Sequence, residues 1–196
     1  VSGNRVTFIG DAMATVVQGV IEVRTLLGQP PVVVGGVAVL SRLSNPYRAT
    51  VDLDVVDRLL GEVPHLELLR AADGAEPVQP AAVLLSTPYG RVKVDVLEVR
   101  QVELDMPSDD PGDRLHASAH AWANDTATDI SLEVIRTNGD HFEVTTPVAE
   151  PGPLGYEASG SHEPVCRQAG NGPARHHQTH SGPGYQTSRA RPDQPC

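Results

Sequence analysis

Asp52, Asp54 and Asp95 are the side chains of this sequence whose types and spacing could do chemistry. The first two stand in Arg48-Ala49-Thr50-Val51-Asp52-Leu53-Asp54-Val55. Side chains alternate along a strand, so Arg48, Thr50, Asp52 and Asp54 are expected on one face, and Ala49, Val51, Leu53 and Val55 inward on the other. Two carboxylates at i and i+2 have Cα atoms roughly 6–7 Å apart, from which their oxygens can converge on a hard divalent cation. Asp95 lies between Val94 and Val96 in a later apolar strand. A carboxylate in a core is costly unless something balances it, and a metal would. Three carboxylates on adjacent strands form the cage of two-metal phosphoryl transfer, in which the ions activate an attacking hydroxyl and stabilise departing pyrophosphate. Two Mg²⁺ ions suit this work, because magnesium prefers oxygen ligands and substrate phosphates.

A second feature precedes the acids. Val32-Val33-Val34 runs into Gly35-Gly36 and then a short helical stretch. Paired glycines at a strand–helix turn let a phosphate approach the backbone, and the helix N-terminus offers unpaired N–H groups. Taken alone, such a pair is more often a structural turn, and Asp-x-Asp is as readily a solvated face. Their order and spacing favour a nucleotide site. Lys93 shares a face with Asp95, where it could reach a phosphate or simply snorkel to the surface. His116 and His120 stand at i and i+4, yet no third ligand accompanies them, so they read as a surface helix face rather than a zinc site. Trp122 reads as a packing anchor.

The positioning elements follow from periodicity. Residues 1–11 read as a loose lead-in, with Asp11 a possible cap for a helix over 12–27. Gly28 and Pro30-Pro31 stop that helix. Residues 32–34 form a strand, 36–43 a helix broken by Ser44-Asn45-Pro46, and 49–56 the acidic strand. Residues 57–72 read as a helix interrupted at Pro64, and 73–80 as a loop. Strands are expected over 82–86 and 91–99 around a Thr87-Pro88-Tyr89-Gly90 turn. A short helix is expected over 115–122, after a polar loop over 107–113. A hairpin is expected around Asn138-Gly139 with strands over 130–136 and 142–146. This order predicts an α/β (α+β) domain over residues 1–149, a mixed β-sheet flanked by helices. Residues 150–196 are rich in Gly, Pro, His, Gln, Ser and Arg without apolar period, which predicts an irregular, disordered tail.

Bulk properties narrow the function. The chain has 196 residues and a formal net charge of −10, which disfavours a general nucleic-acid coat but not a locally held RNA or a basic partner. No apolar run is long enough to cross a membrane. There is no basic-then-apolar leader, and the two cysteines make no disulfide framework, so a cytoplasmic location is expected.

Gly35-Gly36, Arg48-Ala49-Thr50-Val51-Asp52-Leu53-Asp54 and Asp95 together resemble the DNA polymerase β-type nucleotidyltransferase superfamily, and most nearly its AbiE/MenT-like toxins. The resemblance covers roughly residues 12–147. It implies the nucleotidyltransferase fold and transfer of a nucleotide from an NTP, with a pyrimidine such as CTP expected. In MenT-like toxins the acceptor is the 3′ end of tRNA, whose modification blocks translation, and a cognate antitoxin protein neutralises the enzyme. By position, Gly35 and Gly36 would hold the triphosphate, with Lys93 a further candidate for it. Asp52 and Asp54 would bind metal, and Asp95 would be the third carboxylate, as base or metal ligand for the acceptor hydroxyl. Thr50 would lie beside the phosphates, and Arg48 would either contact phosphate or brace the carboxylates. A tRNA acceptor would leave a basic groove, for which Arg5, Arg24, Arg42, Arg48 and Arg91 are the candidates. The chain departs from the toxins after residue 150, where an irregular tail stands in place of their helical, lysine-bearing region, a pattern expected of a truncated or frameshifted product. The alternatives are a small-molecule (antibiotic) nucleotidyltransferase, or an inactive module that binds the antitoxin.

Overall fold

The computed structural model describes residues 4–43 and 49–152. Arg48, the helix break at 44–46 and the tail from 153 onward, including its expected disorder, lie outside the described residues. The chain divides into two units, 1–162 and 163–196, and every described residue belongs to the first.

The first unit is an α/β fold. Its eight strands are β1 (Asn4–Ile9), β2 (Val32–Val34), β3 (Asp52–Asp57), β4 (Glu76–Gln79), β5 (Ala82–Thr87), β6 (Gly90–Glu98), β7 (Thr128–Ile135) and β8 (His141–Val148). Among the described residues there are five helices, α1 (Ala14–Leu27), α2 (Gly35–Arg42), α3 (His65–Arg70), α4 (Gln101–Asp105) and α5 (Pro111–Asp125). The strands form one mixed sheet in the order β1-β7-β8-β2-β3-β6-β5-β4. β3 runs parallel to β6 and antiparallel to β2, so the diglycine strand and the two acid-bearing strands are neighbours at its centre.

The core is the apolar side of these strands under α1. Val16, Val17, Val20 and Val23 recur at helical spacing and are buried with Leu53, Val92, Val94 and Leu132. Gly19 brings α1 close to the sheet, since a Cβ there would meet Val92 Cγ1 at 2.9 Å. α1 ends at Gly28 in the left-handed conformation, φ 70°.

Several elements differ from the sequence expectation. Residues 4–9 are not a loose lead-in but an edge strand, paired in parallel with β7 and anchored by buried Phe8. Asp11 does not cap α1 with its side chain. It is bound instead by Arg136 and Thr137 at the far hairpin, and these partners hold its carboxyl below the usual range. Val51 does not pack inward. It precedes β3 and is 76% exposed. Residues 57–64 are not helical, and only α3 forms. Residues 76–79 are an edge strand rather than loop, and α4 forms where no element was expected. α5 is twice the expected length, because Asp110 accepts from the Gly112 and Asp113 N–H groups and Pro111 opens the first turn. His120 lies buried rather than on a surface face, its Nδ1 donating to the His116 carbonyl at 2.8 Å. Trp122 is nearly half exposed, its ring against Gly152.

Candidate functional site

Three elements meet at the site: the β2–α2 turn, β3 and β6. Asp54 and Asp95 are register partners on the parallel strands β3 and β6, and Asp52 is opposite Lys93. Partners in a parallel pair point to the same side, so all three carboxylates and the lysine share one face. The alternate residues Leu53, Val55, Val94 and Val96 are buried on the other.

The diglycine turn closes against this face. Gly35 has φ 59°, a left-handed conformation, and a Cβ there would lie 2.1 Å from Asp54 Oδ2. A Cβ on Gly36 would lie 2.7 Å from Thr50 Oγ1 and 3.0 Å from Thr50 Cβ. Both glycines are therefore required by contact with the very residues predicted for the site. Thr50 sits against the first turn of α2, its hydroxyl donating to the Asp52 carbonyl at 3.4 Å. α2 begins at Gly35, and the residue before it, Val34, supplies no side-chain cap.

Lys93 lies along the acidic face with its side chain 28% exposed. Its ammonium donates to Asp95 Oδ2 at 3.0 Å and lies 3.7 Å from Asp52 Oδ2. It is held charged above the ordinary lysine range, first by the hydrogen bond to Asp95. Partial burial opposes this, and the charges of Asp95, Asp52 and Asp54 reinforce it.

Among the described residues, no three carboxylate, imidazole or thiolate groups stand close enough together to hold a metal ion. The expected convergence of Asp52, Asp54 and Asp95 oxygens is thus met by shared face and register but not by distance, and a cationic ammonium lies between two of them. The donor set matches magnesium in kind, as hard carboxylate oxygens on one face, but not in spacing.

Of the arginines expected to line a basic groove, three are engaged with other groups, and Arg48 lies outside the described residues. Arg5 pairs with Glu143 and Glu133, and Arg91 with Glu76. Arg42 is turned into the sheet, donating to the Val148 and Ala149 carbonyls. A separate cavity of about 350 Å³ lies at the other end of β3, lined by Gln29, Asp57, Arg58, His65 and Asn124 among others. No sequence pattern pointed to it, because its residues come from separate segments of the chain.

No family model, curated protein or solved structure matches the chain. No helix of the described residues is long and apolar enough to cross a membrane.

Proposed function

We propose that this chain is a nucleotidyltransferase that moves NMP from an NTP, a pyrimidine such as CTP, to the 3′ end of tRNA. It would act as a translation-blocking toxin in the cytoplasm, with a cognate antitoxin as partner. The single observation that carries the reading is the registered pair Asp54 and Asp95, with Asp52 on the same face and Gly35 closed against Asp54.

On this reading the N–H groups of the Gly35-Gly36 turn bind the triphosphate, with Thr50 beside it. Asp52, Asp54 and Asp95 would hold two Mg²⁺ ions, which would supply an acidified acceptor hydroxyl and a neutralised pyrophosphate. The hydroxyl oxygen bonds to the α-phosphorus, and the bond to the bridging oxygen breaks. Pyrophosphate leaves with that electron pair, and the hydroxyl proton passes to the Asp95 carboxylate.

A second acceptor is favoured by one observation. Arg5, Arg42 and Arg91 are dispersed and engaged with other groups, which suits a small hydroxyl compound better than a long polyanion. Incubation of the full chain with α-labelled NTPs and either total tRNA or aminoglycoside-type polyols separates the readings. Label in RNA that is lost in Asp52→Ala supports the tRNA acceptor, and label in the polyol supports the second. No label from any NTP would leave an inactive antitoxin-binding module.

A further inference from the structure

The cavity at the far end of β3 has polar groups that the acidic face does not use. Asp57 ends β3, Gln29 precedes β2, His65 opens α3 and Asn124 lies near the end of α5. Its volume of about 350 Å³ is at the small end for ligand sites and suits a single ring. Pro30, Val32, Val56 and Leu60 supply apolar walls.

The protonation of His65 is fixed from both sides of its ring. Nδ1 is buried, has no hydrogen-bond acceptor among the described residues, and lies 3.7 Å from Asp57 Oδ1. The carboxylate holds a proton on that nitrogen. On the other side Gln29 Nε2, a donor only, lies 3.3 Å from His65 Nε2, which must then be the acceptor. Both contacts give the same tautomer, with the Nε2 lone pair beside an exposed amide that a ligand can displace. Charge excludes ionic ligands. Arg58 is answered by Asp125 at 2.7 Å, and with Asp57 also present the walls carry no surplus positive charge for an anion. The Asp57 oxygens already accept from Leu59 N and His65 N, so they are not free for a cation.

We propose that this cavity binds a small neutral heterocycle with a lactam or imide edge, and that His65 Nε2 accepts the ring N–H. The carboxamide N–H groups of Gln29 and Asn124 answer the ring carbonyls, and the apolar walls cover its faces. The proposal does not rest on the nucleotidyltransferase reading, whose residues lie at the other end of β3.

The probe is uracil, titrated into the full chain and followed by the NMR signal of the His65 ring. That signal is assigned by its loss in His65→Phe, whose fold is verified by circular dichroism. Uracil should shift it saturably. N,N′-dimethyluracil, which has no N–H to donate, should bind wild type on the order of tenfold more weakly. His65→Phe should bind both rings alike, at the weaker level, as read from ligand-observed NMR. Absence of a saturable shift with uracil overturns the proposal. Equal affinity of wild type for the two rings, or discrimination undiminished in His65→Phe, overturns the acceptor role of His65. Tighter binding of orotate, the same ring with a carboxylate, overturns the neutral class in favour of an anion site. If His65→Phe does not fold, the wild-type ratio of the two rings decides, and a ratio of one overturns the inference.

Discussion

At the scale of single residues, Gly35 and Asp54 are one unit. The left-handed backbone at Gly35 disfavours any side chain, and the Asp54 carboxylate fills the space that a Cβ would need. Gly35→Ala should therefore displace the carboxylate as well as strain the turn. The expected result is a loss of about 1–3 kcal/mol in denaturant titration and a fall in NMP transfer on the order of 10²-fold. Asp54→Asn keeps the shape and removes the charge. It should leave the melting temperature close to wild type while transfer falls by on the order of 10²–10³ or more, which separates charge from packing. Transfer by Asp54→Asn at the wild-type rate would remove Asp54 from the proposed chemistry. The face shared by Asp52 and Asp54 was legible from alternation alone. The reach of Lys93 was not, because alternation fixes the face of a side chain but not where a four-carbon stem places its charge.

At the scale of elements, Asp57 sets the path of the chain beyond β3. Residues 57–64 carry apolar groups that suit a helix, yet the chain makes a loop. The buried Asp57 carboxylate accepts from Leu59 N at 2.8 Å and His65 N at 2.7 Å, closing the loop from both sides. Leu59 is held at φ 52°, which no right-handed helix allows. Asp57→Ala would leave two N–H groups without their acceptor and should cost about 2–4 kcal/mol. The check is a urea midpoint shifted at unchanged slope. Asp57→Asn should cost less, because one amide oxygen still accepts.

At the scale of the whole sheet, two groups of strands meet at a narrow join. β2 pairs with β8 through one register pair, Val33 with Val148. The join is reinforced by Ala149 N donating to Val33 O at 3.0 Å and by the buried Thr146 hydroxyl donating to Pro31 O at 2.6 Å. Arg42 spans it from α2, donating to Val148 O at 2.7 Å, Ala149 O at 3.2 Å and Thr128 Oγ1 at 2.8 Å, with Glu150 at 3.3 Å. Arg42→Ala should cost about 2–4 kcal/mol, with Arg42→Lys recovering only part, since an ammonium cannot reproduce the planar fork. The apolar core continues under both strand groups, from Leu53 to Leu132. Leu53→Ala and Leu132→Ala should each cost about 2–5 kcal/mol and shift one common unfolding transition. Two resolved transitions would mean that the join does not couple the halves.

The sequence by itself determined the parts whose signals are local. The run of α1, the stop at Gly28, the diglycine turn, the alternation of β6 and the Asn138-Gly139 hairpin all arise from period, breaker residues and turn chemistry within a few positions. The Asp-x-Asp spacing likewise placed Asp52 and Asp54 on one face. Tertiary structure decided the rest. The edge strands β1 and β4 exist because a neighbouring strand supplies their hydrogen bonds, not because six or four residues prefer to be extended. Asp95 joins Asp54 because β6 lies parallel to β3 in one particular register, and a shift of one residue would have sent it into the core. Lys93 meets two acids, and Arg42 meets a distant strand, only once the sheet order brings them together. Long charged side chains find partners across space, and no spacing along the chain records that.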